Sequence, residues 1–121
     1  MNNNTKLYLV RHAPVKNLNG FIPENNPNAI LNLDHIKKVA SYLPNDGLWF
    51  VSPLNRTVQT AKALSKYLNF SSMHKENNLV EQNFGDWAGK RVSDVWEELK
   101  HNKNQHNFSF ICPETCPPNG D

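Results

Sequence analysis

Apolar and polar positions follow two different periods along this chain, and the switches between them predict its elements. Leu7, Tyr8, Leu9 and Val10 form an unbroken apolar run, which at this length predicts a central strand buried on both faces. That strand would deliver Arg11 and His12 at its C-terminal end. Residues 13–32 are rich in proline and asparagine and predict an irregular loop, long enough to be a functional one. From Leu33 the apolar residues Leu33, Ile36, Val39, Ala40 and Leu43 recur at helical spacing, with Asp34 as the expected cap and Pro44 as the stop.

Leu48 to Val51 predicts a second buried strand. After Ser52-Pro53 a helical pattern runs from about Asn55 to Leu68, with Val58, Ala61, Leu64, Tyr67 and Leu68 on or near one face. A weaker strand is expected around Ser72 to His74, and residues 81–89, with two glycines, predict loop. A last amphipathic helix over Val92 to His101 would pack Val92, Val95, Trp96 and Leu99, and Ser109 to Asp121 holds too much proline to be regular. The alternation predicts an α/β chain, a layered sandwich with a mostly parallel central sheet, in which ligands bind beyond the carboxyl ends of the strands.

Composition narrows the function classes. The chain has 121 residues, enough for one small domain, and 38% of them are hydrophobic and 20% charged, a polar but folded profile. Thirteen basic and eleven acidic residues leave a net charge of +2, which gives no general pull toward nucleic acid or a membrane surface. Lys37-Lys38 and Lys90-Arg91 are the adjacent basic pairs and read as solvated surface. No run approaches the length of a membrane span and the N-terminus MNNNTK lacks a signal-like apolar stretch, so a cytoplasmic protein is expected. Cys112 and Cys116 lie four apart without further ligands at metal spacing and are expected to be reduced thiols in a loop.

Three stretches carry candidate chemistry. In LVRHAPV, residues 9–15, an arginine and a histidine follow the first apolar run. A histidine fixed at a strand end suits a nucleophile that meets phosphorus in line, and Arg11 offers a fork of donors for phosphate oxygens. Taken alone, the pair fits a surface histidine at a strand end better. In SPLNRTVQTAKAL, residues 52–64, Arg56 falls in the first turn of a helix, where the dipole already favours an anion; an isolated arginine there is commonly just exposed. In LVEQNFGDWAG, residues 79–89, Glu81 precedes a Phe-Gly-Asp-Trp turn. A carboxyl close to phosphate charge tends to keep its proton and so could protonate a leaving alkoxide, although composition alone favours a solvent-facing glutamate.

In order and spacing these stretches resemble the histidine phosphatase superfamily, the phosphoglycerate-mutase-like enzymes: Arg-His-Gly/Ala after a first strand, Ser-Pro-Leu-x-Arg-x-x-x-Thr-Ala after a second, then Leu-x-Glu-x-x-x-Gly-x-Trp-x-Gly. LVRHAPV and SPLNRTVQTA look most like the small bacterial branch of α-ribazole-phosphatase-like proteins. The resemblance implies a three-layer α/β sandwich and no metal or organic cofactor. It makes His12 the nucleophile that becomes phosphorylated, Glu81 the proton donor, and Arg11 and Arg56 phosphate ligands. The implied activity is a metal-independent phosphomonoesterase acting on a small phosphorylated metabolite, with a phosphoglycerate mutase as the alternative.

The chain departs from the pattern in three places. Ala13 stands where glycine is commoner, and neither Asn17 nor Leu18 matches the asparagine often found shortly after the histidine. The family's second histidine, in a Ser/Thr-His-Gly/Ala motif after a later strand, has no match, because His101 and His106 lack the preceding strand. The ending CPPNGD resembles a loop that precedes the family's next helix. The expectation is therefore one histidine phosphatase domain over residues 1–121, incomplete at the C-terminus and inactive by itself. A reading of another class is a phosphate-binding or interaction module that keeps Arg11 and Arg56 without turnover.

Overall fold

The computed structural model describes residues 4–81, 83–100 and 119–120. The chain divides into two compact units, one of Met1–Val15 with Asn28–Val80 and the other of Lys16–Pro27 with Glu81–Asp121. Among the described residues the elements run α1 (Leu33–Ser41), β1 (Gly47–Val51), α2 (Asn55–Leu64), β2 (Phe70–Lys75), two short 3₁₀ turns at Asn77–Leu79 and Gly85–Trp87, and α3 (Val92–Lys100). The fold is α/β, with a parallel pair of strands.

In the first unit, α1 begins two residues earlier than an Asp34 cap would place it. The cap is Asn32, whose Oδ1 accepts from the backbone N–H groups of Asp34 and His35 at 3.0 and 3.2 Å, and Asp34 lies in the first turn, where its charge suits the helix dipole. Ile36 and Ala40 are buried against Ala63, Leu64 and Leu68, with Val39, Leu43 and Trp49 packed alongside. Leu33, expected on that face, is 59% exposed.

β1 and β2 pair in parallel with Trp49 opposite Met73, Phe50 opposite His74 and Val51 opposite Lys75. Parallel neighbours need a crossover, and α2 supplies it. The two chain reversals that feed the strands are tied together, because Asp46 N–H donates to the Asn69 carbonyl at 2.9 Å and Asn69 N–H donates to Asn45 Oδ1 at 3.0 Å. The expected strand around Ser72 to His74 is real and longer than predicted. The expected burial of β1 is only half met: its exposure alternates, leaving Leu48 and Phe50 exposed and Val51 buried.

The first apolar run differs most from expectation. Leu7 to Val10 form no strand, and Leu7 and Leu9 are 82% and 88% exposed. A strand exists where its backbone groups pair, and among the described residues the sheet consists of β1 and β2. Four apolar residues in a row record a capacity for burial, and here no described strand flanks them.

The second unit has its own core of Ile22, Trp87, Val95 and Leu99, with Phe84 and Val92 packed on it. Its two chain segments are stitched by backbone bonds: Ile22 N–H to the Lys90 carbonyl at 2.8 Å, Gly89 N–H to the Ile22 carbonyl at 3.0 Å, and Val92 N–H to the Gly20 carbonyl at 2.7 Å. Gly89 takes φ +77°, a left-handed value that strains residues with a Cβ. Part of the long loop after His12 is therefore fixed structure. The helix expected over Val92 to His101 is present as α3 over the described residues Val92–Lys100. Cys112, Cys116, His101, His106 and the CPPNGD ending except Asn119 and Gly120 lie outside the described residues.

Burial separates the faces of α1 sharply enough to test. Ile36, 2% exposed, should cost about 2–5 kcal/mol on Ile36→Ala, whereas Leu33→Ala should stay within about 0.5 kcal/mol. Urea unfolding of both variants of the full-length protein measures the difference, and equal costs would contradict this orientation of α1.

Candidate functional site

Three side chains on or beside α2, with the backbone of Ala13, build a polar cluster inside the first unit. Arg56, in the first turn of α2, is only 7% exposed. Its Nε–H donates to Nε2 of His12 at 3.3 Å. His12, half buried, places its other ring nitrogen, Nδ1, 2.7 Å from the Ala13 carbonyl oxygen. One turn along α2, the buried Thr60 hydroxyl accepts from the Ala13 N–H at 2.8 Å and donates to the Arg56 carbonyl at 2.7 Å.

These partners determine which form of the histidine the geometry holds. A guanidinium is always a donor and a carbonyl always an acceptor. Nε2 therefore presents a lone pair to Arg56, and Nδ1 carries the proton that it donates to Ala13. The ring is the neutral Nδ1–H form, an assignment that follows from the chemistry of its neighbours. Its basic, nucleophilic atom faces a fixed positive charge.

Supporting bonds hold the surrounding backbone. The Thr57 hydroxyl contacts the carbonyls of Ser52 and Leu54, each at 2.7 Å, which fixes the chain between β1 and α2. Gln59 accepts from the Ala29 N–H at 2.7 Å and donates to Asn28 Oδ1 at 2.9 Å, fastening the stretch before α1 to the same helix. Ile30 N–H donates to the Pro14 carbonyl at 2.6 Å. The first turn of α2 contains no acidic residue, and its N-cap, Leu54, makes no side-chain capping bond. Nothing negative on that turn offsets the dipole that favours an anion there.

Ala13 and Pro14 also line a cavity of about 340 Å³ with Ile30, Asn32, His35 and Ile36. It is mainly apolar, and His12 and Arg56 are not among its lining residues.

Of the four residues singled out from the sequence, the structure joins two, His12 and Arg56. Arg11 is exposed, next to His12 in the chain. Glu81 is exposed and belongs to the second unit. Thr60 and Gln59 were missed. A signal for Thr60 was present, since Arg56 and Thr60 are four apart and therefore share a face of the helix with Ala63 and Leu64. Two polar residues on one buried face imply a polar partner opposite.

A neutral imidazole lone pair beside a buried guanidinium is an arrangement that binds an anion and attacks an electrophile within it. The model of the histidine phosphatase superfamily (branch 1) matches residues 7–119, and the chain belongs to that superfamily. Phosphatase- or mutase-type chemistry follows from that membership in general terms. No curated protein matches the chain. No helix among the described residues is long and apolar enough to cross a membrane.

Removal of the Thr60 hydroxyl tests the cluster. Thr60→Val keeps the volume but leaves the buried Ala13 N–H without its acceptor, an expected cost of about 1–3 kcal/mol. Thr60→Ser should recover most of it. Denaturant unfolding of the two variants is the measurement, and a Thr60→Val variant as stable as wild type would contradict the bridging role.

Proposed function

We propose that the protein is a phosphomonoesterase that passes the phosphoryl group of a small phosphorylated metabolite first to His12 and then to water, with no metal ion. The observation that carries this reading is the His12 Nε2 lone pair held against the buried Arg56 guanidinium.

The reaction follows from those groups. An arriving phosphate monoester competes for Arg56, and its oxygens are better acceptors for a guanidinium than an imidazole nitrogen. Arg56 turns to the phosphate, which uncovers the Nε2 lone pair. Nε2 attacks phosphorus, the bond from phosphorus to the ester oxygen breaks, and Glu81 gives its proton to that departing oxygen. Water then attacks phosphorus, the N–P bond breaks, and the Glu81 carboxylate takes the proton that the water loses. Nδ1–H, held by the Ala13 carbonyl, stabilises the ring while it carries the phosphoryl group. Arg56, and Arg11 beside it in the chain, stabilise the equatorial oxygens in both steps. The parts of Glu81 and Arg11 rest on their places in the family's motifs.

The full-length protein is expected to hydrolyse an aryl phosphate at a rate that a chelator does not change. His12→Ala should abolish turnover, and Arg56→Ala should lower kcat by about 10²–10³-fold, the usual loss when a single donor to a developing anion is removed. Activity that a chelator removes and zinc or magnesium restores would contradict the metal-free mechanism. Full turnover by His12→Ala would contradict the nucleophile.

A further inference from the structure

Ala13 holds the Nδ1 side of His12, and both of its soft backbone torsions are restrained. Its N–H is gripped from α2. The Thr60 hydroxyl gives its proton to the Arg56 carbonyl at 2.7 Å, which leaves an oxygen lone pair to accept from Ala13 at 2.8 Å. That bond fixes the peptide plane ahead of Ala13. On the other side, Pro14 crowds Ala13 out of the helical region toward extended values of ψ. Between these two restraints the Ala13 carbonyl oxygen lies 2.7 Å from His12 Nδ1.

The stretch beyond is secured to the same helix. The Pro14 carbonyl accepts from the Ile30 N–H at 2.6 Å, Val15 and Ala29 form an antiparallel bridge, and the Ala29 N–H donates at 2.7 Å to Gln59, the neighbour of Thr60 on α2. Ala13 itself is buried, which leaves little room for water to compete for its carbonyl.

This framework matters most at the moment the histidine acts. In the resting site two contacts specify the Nδ1–H tautomer, Arg56 at Nε2 and the Ala13 carbonyl at Nδ1. In the proposed reaction Arg56 leaves Nε2 for the phosphate, and of these two the Ala13 carbonyl remains. A neutral imidazole whose proton has moved to Nε2 has no lone pair there and cannot attack phosphorus.

We propose that Thr60, acting through the Ala13-Pro14 backbone, is a positioning residue that keeps the proton of His12 on Nδ1 while Nε2 faces the phosphate. This rests on the reading of His12 as the nucleophile. Loss of Thr60 changes how often the ring is correctly protonated and aimed, and leaves substrate binding to other groups. Misplacement of a reacting group by about 1 Å costs on the order of 10²-fold in rate.

In the full-length protein, Thr60→Val should lower kcat for an aryl phosphate by about 10²-fold with KM nearly unchanged, and Thr60→Ser, which keeps the hydroxyl, should restore most of the loss. ¹⁵N NMR of the His12 ring reads the tautomer itself, recorded with saturating inorganic phosphate at a pH where the ring is neutral. Wild type and Thr60→Ser should show Nδ1–H, and Thr60→Val a mixture of both forms. Where Thr60→Val fails to fold, Pro14→Ala keeps the carbonyl for Ile30 and frees ψ of Ala13, and it should show the same mixture with a smaller loss of kcat.

A Thr60→Val variant, or Pro14→Ala in its place, that turns over like wild type would overturn the proposal and leave the nucleophile standing. So would a variant that loses activity while His12 stays wholly Nδ1–H, or a Thr60→Ser as slow as Thr60→Val. If His12→Ala, assayed alongside, retains full turnover, the reading of His12 fails and takes this proposal with it.

Discussion

A buried guanidinium keeps its charge, so it must have acceptors, and one that the first unit supplies to Arg56 is the imidazole of His12. Burial of an unpaired charge costs several kcal/mol even after relaxation. Arg56 meets part of that demand with the Nε2 lone pair of His12, which can serve only because the ring's single proton sits on Nδ1, hydrogen-bonded to the Ala13 carbonyl. The backbone at Ala13 is in turn held by Thr60, one turn along the same helix. Helix, histidine and the chain between them thus form a closed loop of hydrogen bonds, in which the position of each member depends on the others. In the proposed reaction the same loop supplies the nucleophile, since a partner that satisfies Arg56 better than imidazole releases the lone pair.

How much of this was legible in the sequence depended on how local each cause is. Helical periodicity placed α1, α2 and α3 to within a few residues, because the pattern of Ile36, Ala40 and their neighbours is set by the helix itself. Asn32 instead of Asp34 as the cap is an error of two residues, where two good capping residues compete. Leu7 to Val10 were misread because burial on both faces is a statement about neighbours, and an apolar tetrapeptide does not name them. Half-exposed β1 failed for the same reason.

The site divides along the same line. His12 and Arg56 stood out through motifs that resemble those of the histidine phosphatases, and the family match over residues 7–119 agrees with that resemblance. Thr60, though part of a quoted motif, was given no role, and Gln59 and Asn25 did not stand out, because each acts through a bond from its side chain to backbone far away in sequence, and the partner is defined only after folding. Asparagine in the loop after His12 reads as turn-forming residue; in the folded chain Asn25 grips Phe84 and Gly85. Polar residues with a tertiary task look, in sequence, like polar residues with none.

The central claim is that Nε2 of His12, and no other atom, accepts the phosphoryl group, because Nδ1 is committed to the Ala13 carbonyl. Rapid quenching of the full-length protein during turnover, followed by phosphopeptide mass spectrometry and ³¹P NMR of the base-stable, acid-labile phosphate, tests it most directly. The account predicts phosphate on His12 at Nε2. Phosphate on Nδ1, on Ser52 or Cys112, or on no residue despite measurable turnover, would contradict it.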